Sequence, residues 1–474
     1  MNWVISTVLS TKSSEGKMGI DLTPRWKEYA VYLPAIQSWY SRNVYSDRLR
    51  DKERPFPKGI TLKDLDFMNP NSKLWHYGYG LYSAGLFSDD SPRACSVANR
   101  NKDATTILGD SGGYQIGIGT FPGTQHIKKE RTQEGVIRAW TECGDVRRRV
   151  VNWLESNSDY AMTIDMPLWA RKSPQSSSPF KICSERQLLD MTLENLKYIK
   201  RHKMGRTKWL NVLQGTDPHD SKMWWDEVKK YKFDGWALAG DVGWGGGLDS
   251  VLHNVLMMRD EDAFVDGQDW VHVLGVSKPT WAVIFTAIQK QLRKDNPKLQ
   301  ISYDSASPFQ MVGKYHDTVR YPKLTKNLSS WVMSASEVQT NPIYANTDGK
   351  FHFPFQSPLG ELMTLDQINV VGGKYQGITT DTISWLLMIN HTLYVYVRSF
   401  LEANELVFLD RSSAQETVPS EILEVIDFIE HVFTVNNWKR EITKNKPMLD
   451  KVFKKIGKQE KQDDVSGYEA PIKN

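Results

Sequence analysis

Asp110-Ser111-Gly112-Gly113-Tyr114-Gln115 sets a carboxylate, two glycines, an aromatic ring and an amide within one short stretch. The apolar approach Thr106-Ile107-Leu108-Gly109 reads as the end of a buried strand. Glycines let a backbone pass close to a flat ligand. The Tyr114 ring can stack on such a ligand, Gln115 can read its edge, and Asp110 can move a proton. The plainer alternative is a strand-to-helix turn with Asp110 or Ser111 as its cap. Polar or small groups recur after later apolar runs: Asp165 after 159–164, Gln214 after 209–213, Gly240 after 235–239 and Asp304 after 301–303. A carboxylate satisfies the adjacent N–H and amino donors of guanine, while an amide and a backbone N–H satisfy the oxygen on its other edge. Two further carboxylates can carry out glycosidic chemistry, one attacking the anomeric carbon and the other handling protons. Any one aspartate at a strand end also reads as a cap or ion-pair partner. It is the convergence of these positions that fits the exchange of a purine-like base on a sugar.

These side chains need a scaffold that collects strand ends. Between the apolar runs lie helix-like segments at 145–157, 185–203, 219–231, 246–259 and 279–294, and a further run, Val271–Leu274, ends in Gly275. Strands alternating with helices imply parallel pairing through crossover helices. Polar residues at successive strand C-termini fit an α/β fold of the (β/α)8 barrel type, whose active site gathers at that end. A doubly wound open sheet is the competing fold, but it favours a Gly-rich phosphate loop after its first strand. The Gly243–Gly247 cluster comes late and lacks that pattern. Residues 1–100, rich in Trp, Tyr, Pro and Lys with weak periodicity, are expected to form an extension packed on the barrel. The barrel itself is expected over 101–410. Residues 411–474 are expected to form a helical extension and a charged tail, with no internal repeat.

The chain has 474 residues, enough for a large core, and a formal charge of +4 that by itself argues for no particular partner. Basic residues crowd the region from Lys439 to Lys461, which reads either as a phosphate-contacting run or as solvated surface. Cys95, Cys143 and Cys183 are widely spaced and odd in number, which predicts free thiols and a reducing compartment. The first residues make a poor signal peptide. No run is long enough to span a bilayer, since Asn390 and His391 interrupt the apolar stretch 385–397. The expected location is therefore cytoplasmic, with no membrane partner.

At these residues the chain resembles the tRNA-guanine transglycosylase superfamily. Asp110–Gln115 is similar to that family's DSGG-aromatic-Gln signature. The segment 159–165 resembles the one ending in its base-reading aspartate. Leu213-Gln214-Gly215 and the run 233–240 resemble its Gln-Gly strand and later Gly-rich loop. Leu274-Gly275-Val276-Ser277-Lys278-Pro279 resembles its Met-Gly-Val-Gly-x-Pro turn, and Tyr303-Asp304-Ser305 falls where it carries the nucleophile. The order and spacing of these motifs cover roughly 103–310, with a fainter likeness over 380–405.

The resemblance implies a role for each residue. Asp304 would attack the sugar C1′ and form a covalent glycosyl-enzyme. Asp110 would protonate the departing guanine and deprotonate the incoming base. Asp165 would hold the N–H and amino edge, and Gln214 with the Gly240 N–H would face the oxygen. Tyr114 and Leu274 would sandwich the ring, with Gln115 and Ser111 lining the pocket. Retention of configuration follows from two displacements at one carbon, and no cofactor is implied.

Departures from the family refine this. The tRNA enzymes carry a zinc site of three cysteines and a histidine after the nucleophile, and no cysteine lies beyond Cys183 here. His316, His352 and His391 lack ligand spacing, so no metal is expected. Asp241 stands where the family has an apolar residue, and the long aromatic N-terminal part is foreign to the tRNA enzymes. These features are most similar to the DNA-modifying DpdA-type 7-deazaguanine transglycosylases, which act in phages and bacterial defence. The implied partners are DNA and a free 7-deazaguanine such as 7-cyano-7-deazaguanine, with room for a partner protein. Base flipping would be needed, aided by basic residues at the mouth: Arg147–Arg149, Lys128–Lys129, Arg171–Lys172 and Lys314. The loop 173–179 is a candidate cover. A tRNA enzyme, a non-catalytic nucleic-acid-binding relative and a phosphate-binding barrel enzyme are the alternatives.

Overall fold

The computed structural model describes residues 19–46, 57, 59–86, 95–172, 177–215, 217–239, 244–265, 267–315, 317–337, 352–353, 355–364, 368 and 381–458. Eight strands form one all-parallel sheet. In chain order they are β1 (Val31–Pro34), β2 (Tyr79–Ser83), β3 (Thr106–Asp110), β4 (Tyr160–Met162), β5 (Lys208–Leu213), β6 (Gly235–Leu238), β7 (Trp270–Val273) and β8 (Gln300–Ser305). Each strand pairs with its sequence neighbour from β2 to β8, and β8 pairs back onto β1. A parallel bridge between Ala35 and Leu81, with Ile36 N–H donating to Leu81 O at 2.8 Å, joins β1 to β2 and closes the ring. The closure gives a TIM-like barrel and removes the open doubly wound sheet.

The expected division at residue 100 is not where the barrel begins. Two of its strands, β1 and β2, lie within 1–100. Both are short, with only an eight-residue helix (Ser38–Tyr45) after β1 and a single turn after β2, so neither produces a clear strand–helix period in the sequence. Their residues Val31–Pro34 are nevertheless buried throughout.

The helices follow from local chemistry. They include α1 (Ser38–Tyr45), α2 (Gly144–Asn157), α3 (Glu185–His202), α4 (Pro218–Val228), α5 (Leu248–Arg259) and α6 (Pro279–Leu292). Ser184 and Gln187 make a reciprocal capping box at the start of α3. Pro218 and Pro279 open α4 and α6, where a missing N–H costs nothing. After β8 comes the long α7 (Thr382–Phe408), capped by Asp381 and packed against α6 and β1. Its Asn390, which interrupts the apolar stretch in sequence, is buried between Trp75 Nε1 at 3.1 Å and Leu65 O at 3.2 Å. His391 beside it meets Ser357 Oγ at 2.8 Å. Two outer helices, α8 (Ser420–Val432) and α9 (Trp438–Lys458), pack on α6 and α5 respectively. Much of the basic C-terminal run is thus helical; the tail from 460 lies outside the described residues. No described helix is long and apolar enough to cross a membrane. All three cysteines are buried and free.

Strand alternation decides which side chains enter the barrel. In β8, Tyr303 faces outward and packs near Phe285 of α6 and Phe400 of α7, with ring centroids 5.5 and 6.0 Å away. Ser302 and Asp304 therefore face inward, with Ser302 level with His272 of β7.

Candidate active site

Three aspartates, on or just after three of the barrel strands, are buried at the C-terminal end of the sheet. Asp110 is the last residue of β3, Asp304 is next to last in β8, and Asp165 follows β4. Each is less than 10% exposed: 7% for Asp110, 7% for Asp165 and 5% for Asp304. Asp110 feels both of the others, since its charge raises the proton affinity of Asp165 and the charge of Asp304 raises its own. An interior of low polarity makes such like charges expensive, which pushes the carboxyls of Asp110 and Asp165 up.

Asp110 ends β3 opposite Ser83 of β2. Burial pushes its carboxyl up, opposed by hydrogen bonds from the Ser83 hydroxyl and the Gly112 N–H; Asp304 raises it further and His272 lowers it. Gly112 then turns the chain with φ at +85°, a conformation open to glycine. The turn leads into the single-turn helix Gly113–Gly117, which carries Tyr114 and Gln115. A Cβ on Gly113 would stand 3.3 Å from Asp165 Oδ1, so the motif backbone runs directly against that carboxylate.

Asp165 accepts a hydrogen bond from Gln214 Nε2. Its carboxyl is pushed up to about 7, mainly by burial, and then by Asp110, with Gln214 pulling the other way. A neutral or reluctantly charged carboxyl beside an amide is suited to a ligand that brings its own N–H donors.

Asp304 is held from the following strand-end turn. Its Oδ1 accepts from Gly275 N–H at 2.8 Å, and its backbone carbonyl accepts from Val276 N–H at 2.6 Å. His272 Nε2 lies 3.3 Å from the same Oδ1. The Leu274–Pro279 turn is thus the cradle of this carboxylate.

The remaining sequence-derived residues divide. Ser111 and Gln115 are buried. The Gln115 side-chain oxygen has no hydrogen-bond partner among the described residues and packs against Gly85. Tyr114 and Leu274 are half-buried, as a ring sandwich requires. Tyr114 stacks on Trp169, with centroids 5.3 Å apart and planes 29° from parallel. Gly240 and Asp241 lie outside the described residues, as do His316 and residues 173–176 of the candidate cover. Ser178, at the far end of that loop, donates to Gly117 O and so ties the loop to the motif helix.

Several basic candidates serve the fold. Arg147 donates to Trp140 O at 3.0 Å and to Thr141 O at 2.5 Å. Arg148 pairs with Asp145, as does Arg149, which also donates to Pro122 O at 2.8 Å. Arg171 donates to Cys183 O at 2.9 Å. Lys128, Lys129 and Lys314 are exposed. Among the described residues one group of three ligand-type side chains gathers, Asp217, His219 and Asp220, within 4.8 Å. Asp217 there caps α4 by accepting from Asp220 N–H at 2.9 Å, which accounts for the cluster without a metal.

His272, Ser83 and Trp169 are site residues that motif reading passed over. The signal for His272 was available: it is the polar residue of Trp270-Val271-His272-Val273, spaced by two from Trp270. Ser83 and Trp169 carry no comparable signal, since their relevance depends on β2 lying beside β3 and on the turn after β4.

No protein-family model matches the chain, and comparison with curated proteins gives no match. The likeness to the transglycosylases therefore rests on the sequence motifs alone.

Proposed function

We propose that the protein exchanges guanine in DNA for a 7-deazaguanine base through a covalent glycosyl-aspartate. The observation that carries the proposal is the burial of Asp110, Asp165 and Asp304 at one end of a parallel barrel, with Asp110 electrostatically linked to both others. Burying three acids at one end of a barrel is costly to the fold, and such costly groups mark candidate functional sites.

The chemistry assigns each a separate part. An Asp304 oxygen attacks C1′ of the target nucleotide as the C1′–N9 bond breaks. The bonding pair leaves on the purine, which takes a proton from Asp110. A carboxyl that burial has pushed up, as at Asp110, is suited to giving a proton in this first step. The incoming base then gives its ring proton to Asp110 and attacks C1′, and the pair in the C1′–O bond returns to Asp304. Atoms and protons balance, and the two inversions retain configuration. Asp165 takes the N–H and amino donors of the purine and Gln214, which touches Asp165, takes the adjacent oxygen; Tyr114 and Leu274 cover its faces, and Ser111 and Gln115 line the motif side. The Gly240 N–H belongs to the same reading.

Reaching C1′ with the base enclosed requires the nucleotide to leave the stack, at about a few kcal/mol. Lys128, Lys129 and Lys314 offer charge for backbone phosphates. DNA is favoured over tRNA because no cysteine follows Cys183, so the tRNA enzymes' thiolate zinc module has no counterpart. The reading includes a location in the bacterial or phage-infected cytoplasm and a free 7-deazaguanine as second substrate. Incubation with labelled guanine and either duplex DNA or tRNA tests it. Label retained in DNA supports the reading, label in tRNA moves the substrate, and label in neither removes the activity.

A further inference from the structure

His272 is completely buried on the inward face of β7, and nothing assigned so far uses it. Its Nδ1 lies 2.9 Å from Ser302 Oγ, and Trp270 Nε1 donates to that same oxygen at 2.7 Å. Ser302 Oγ can accept from Trp270 Nε1 and give its own proton to His272 Nδ1. The imidazole proton then resides on Nε2, 3.3 Å from Asp304 Oδ1. The opposite tautomer would aim a bare nitrogen lone pair at a carboxylate oxygen inside the barrel, which is repulsive. An imidazolium would also carry a proton on Nε2, so both protonation states give the same donor.

Nε2 has no aligned hydrogen-bond partner among the described residues. A small rotation of the Asp304 carboxylate completes the bond, as often happens when an empty site fills. Gly275 N–H already holds Oδ1. Oδ2 accepts no hydrogen bond among the described residues.

We infer that His272 is a positioning residue for Asp304: the chain Trp270–Ser302–His272 presents Nε2–H to Oδ1, fixing Oδ2 as the attacking oxygen. The inference rests on the transglycosylase reading of Asp304. It adds a function for His272 in both half-reactions. In the first, two donors on Oδ1 hold the carboxylate plane so that Oδ2 meets C1′. In the second, Oδ1 is the ester carbonyl oxygen, and Nε2–H stabilises the negative charge that returns to the carboxylate as the C1′–O bond breaks.

The experiment compares His272→Leu and His272→Gln in the full chain, with nitrogen-15 spectra of the wild-type imidazoles. The leucine variant should form the protein–DNA adduct and exchange labelled guanine about 10- to 100-fold more slowly, the loss expected for one donor to a charged acceptor. Binding of a free 7-deazaguanine, which depends on Asp165, should be unchanged. The glutamine variant, which keeps an N–H near the Nε2 position, should recover most of the rate. Full activity of the leucine variant, or equal loss in both variants, would overturn the inference. The wild-type spectrum decides independently of activity and of how the leucine and glutamine variants fold. A proton on Nε2 of His272, with a resonance that moves in Asp304→Ala, is expected; a neutral Nδ1–H ring overturns the inference. If the wild-type protein exchanges no base at all, the functional reading falls, and the histidine spectrum still reports on the contact.

Discussion

Asp165→Asn should make the protein more stable and less able to bind its base. Asp165 is buried, and its carboxyl rises from 3.8 to about 7, chiefly through loss of water. The folded state therefore binds that proton more tightly than the unfolded chain does. Its contribution to stability is complete below about pH 4, declines as the pH climbs, and is gone above about pH 7. At about 1.4 kcal/mol per pH unit, the rise from 3.8 to about 7 sets a ceiling of about 4 kcal/mol on the cost of the ionised site. Asparagine keeps the volume, cannot ionise, and keeps an oxygen to accept from Gln214 Nε2. Urea unfolding at about pH 8 should show a gain of about 1 to 4 kcal/mol for the variant, shrinking toward zero at about pH 4. Calorimetric titration with a free 7-deazaguanine at the higher pH should show affinity reduced by about 10- to 100-fold, as a charged acceptor for two donors is lost. A variant that is less stable at the higher pH, or whose gain is the same at both, would refute the electrostatic reasoning. A variant that gains stability yet binds the base normally would leave the electrostatics intact and remove Asp165 from the pocket.

Asp304→Ala should abolish base exchange and any trapped protein–DNA adduct; an adduct that persists would move the nucleophile to another residue. Asp110→Asn should stop exchange and also lower the Asp165 carboxyl from about 7, because one neighbouring negative charge is gone, a change readable by carbon-13 titration of the aspartate side chains. Tyr114→Ala should weaken binding of the free base by about tenfold or more, from lost stacking, with little change in unfolding midpoint since the ring is only half-buried. Elemental analysis should find no stoichiometric zinc, and one zinc per chain would overturn the argument from the cysteines.

Much of the barrel from β3 to β8 was legible because each strand there is followed by a helix of regular period. Thr106–Asp110 leads to α2, Lys208–Leu213 to α4, and Trp270–Val273 to α6. The first two strands were not legible. Val31–Pro34 and Tyr79–Ser83 are flanked by single turns, the short α1 and aromatic packing, and they count as strands only because β8 and β3 pair with them. A four-residue strand buried on both faces gives no alternation to detect. The arginines 147–149 show the converse: their charge suggested a nucleic-acid surface, whereas Asp145 and nearby carbonyls occupy them.

The sequence alone determined which chemical groups are available, and where along the chain: three aspartates, an amide and a ring, each at or just past the end of an apolar run. It could do so because strand ends and turn glycines are set by local sterics. Only the folded chain decided that these ends gather at one end of the barrel, that Ser83 sits beside Asp110, and that His272 faces Asp304. Those relations depend on barrel closure and on the register of β7 against β8, where a slip of one residue would send His272 outward and Asp304 into the helices. Registers are fixed by packing across many strands at once, and no single segment carries that information.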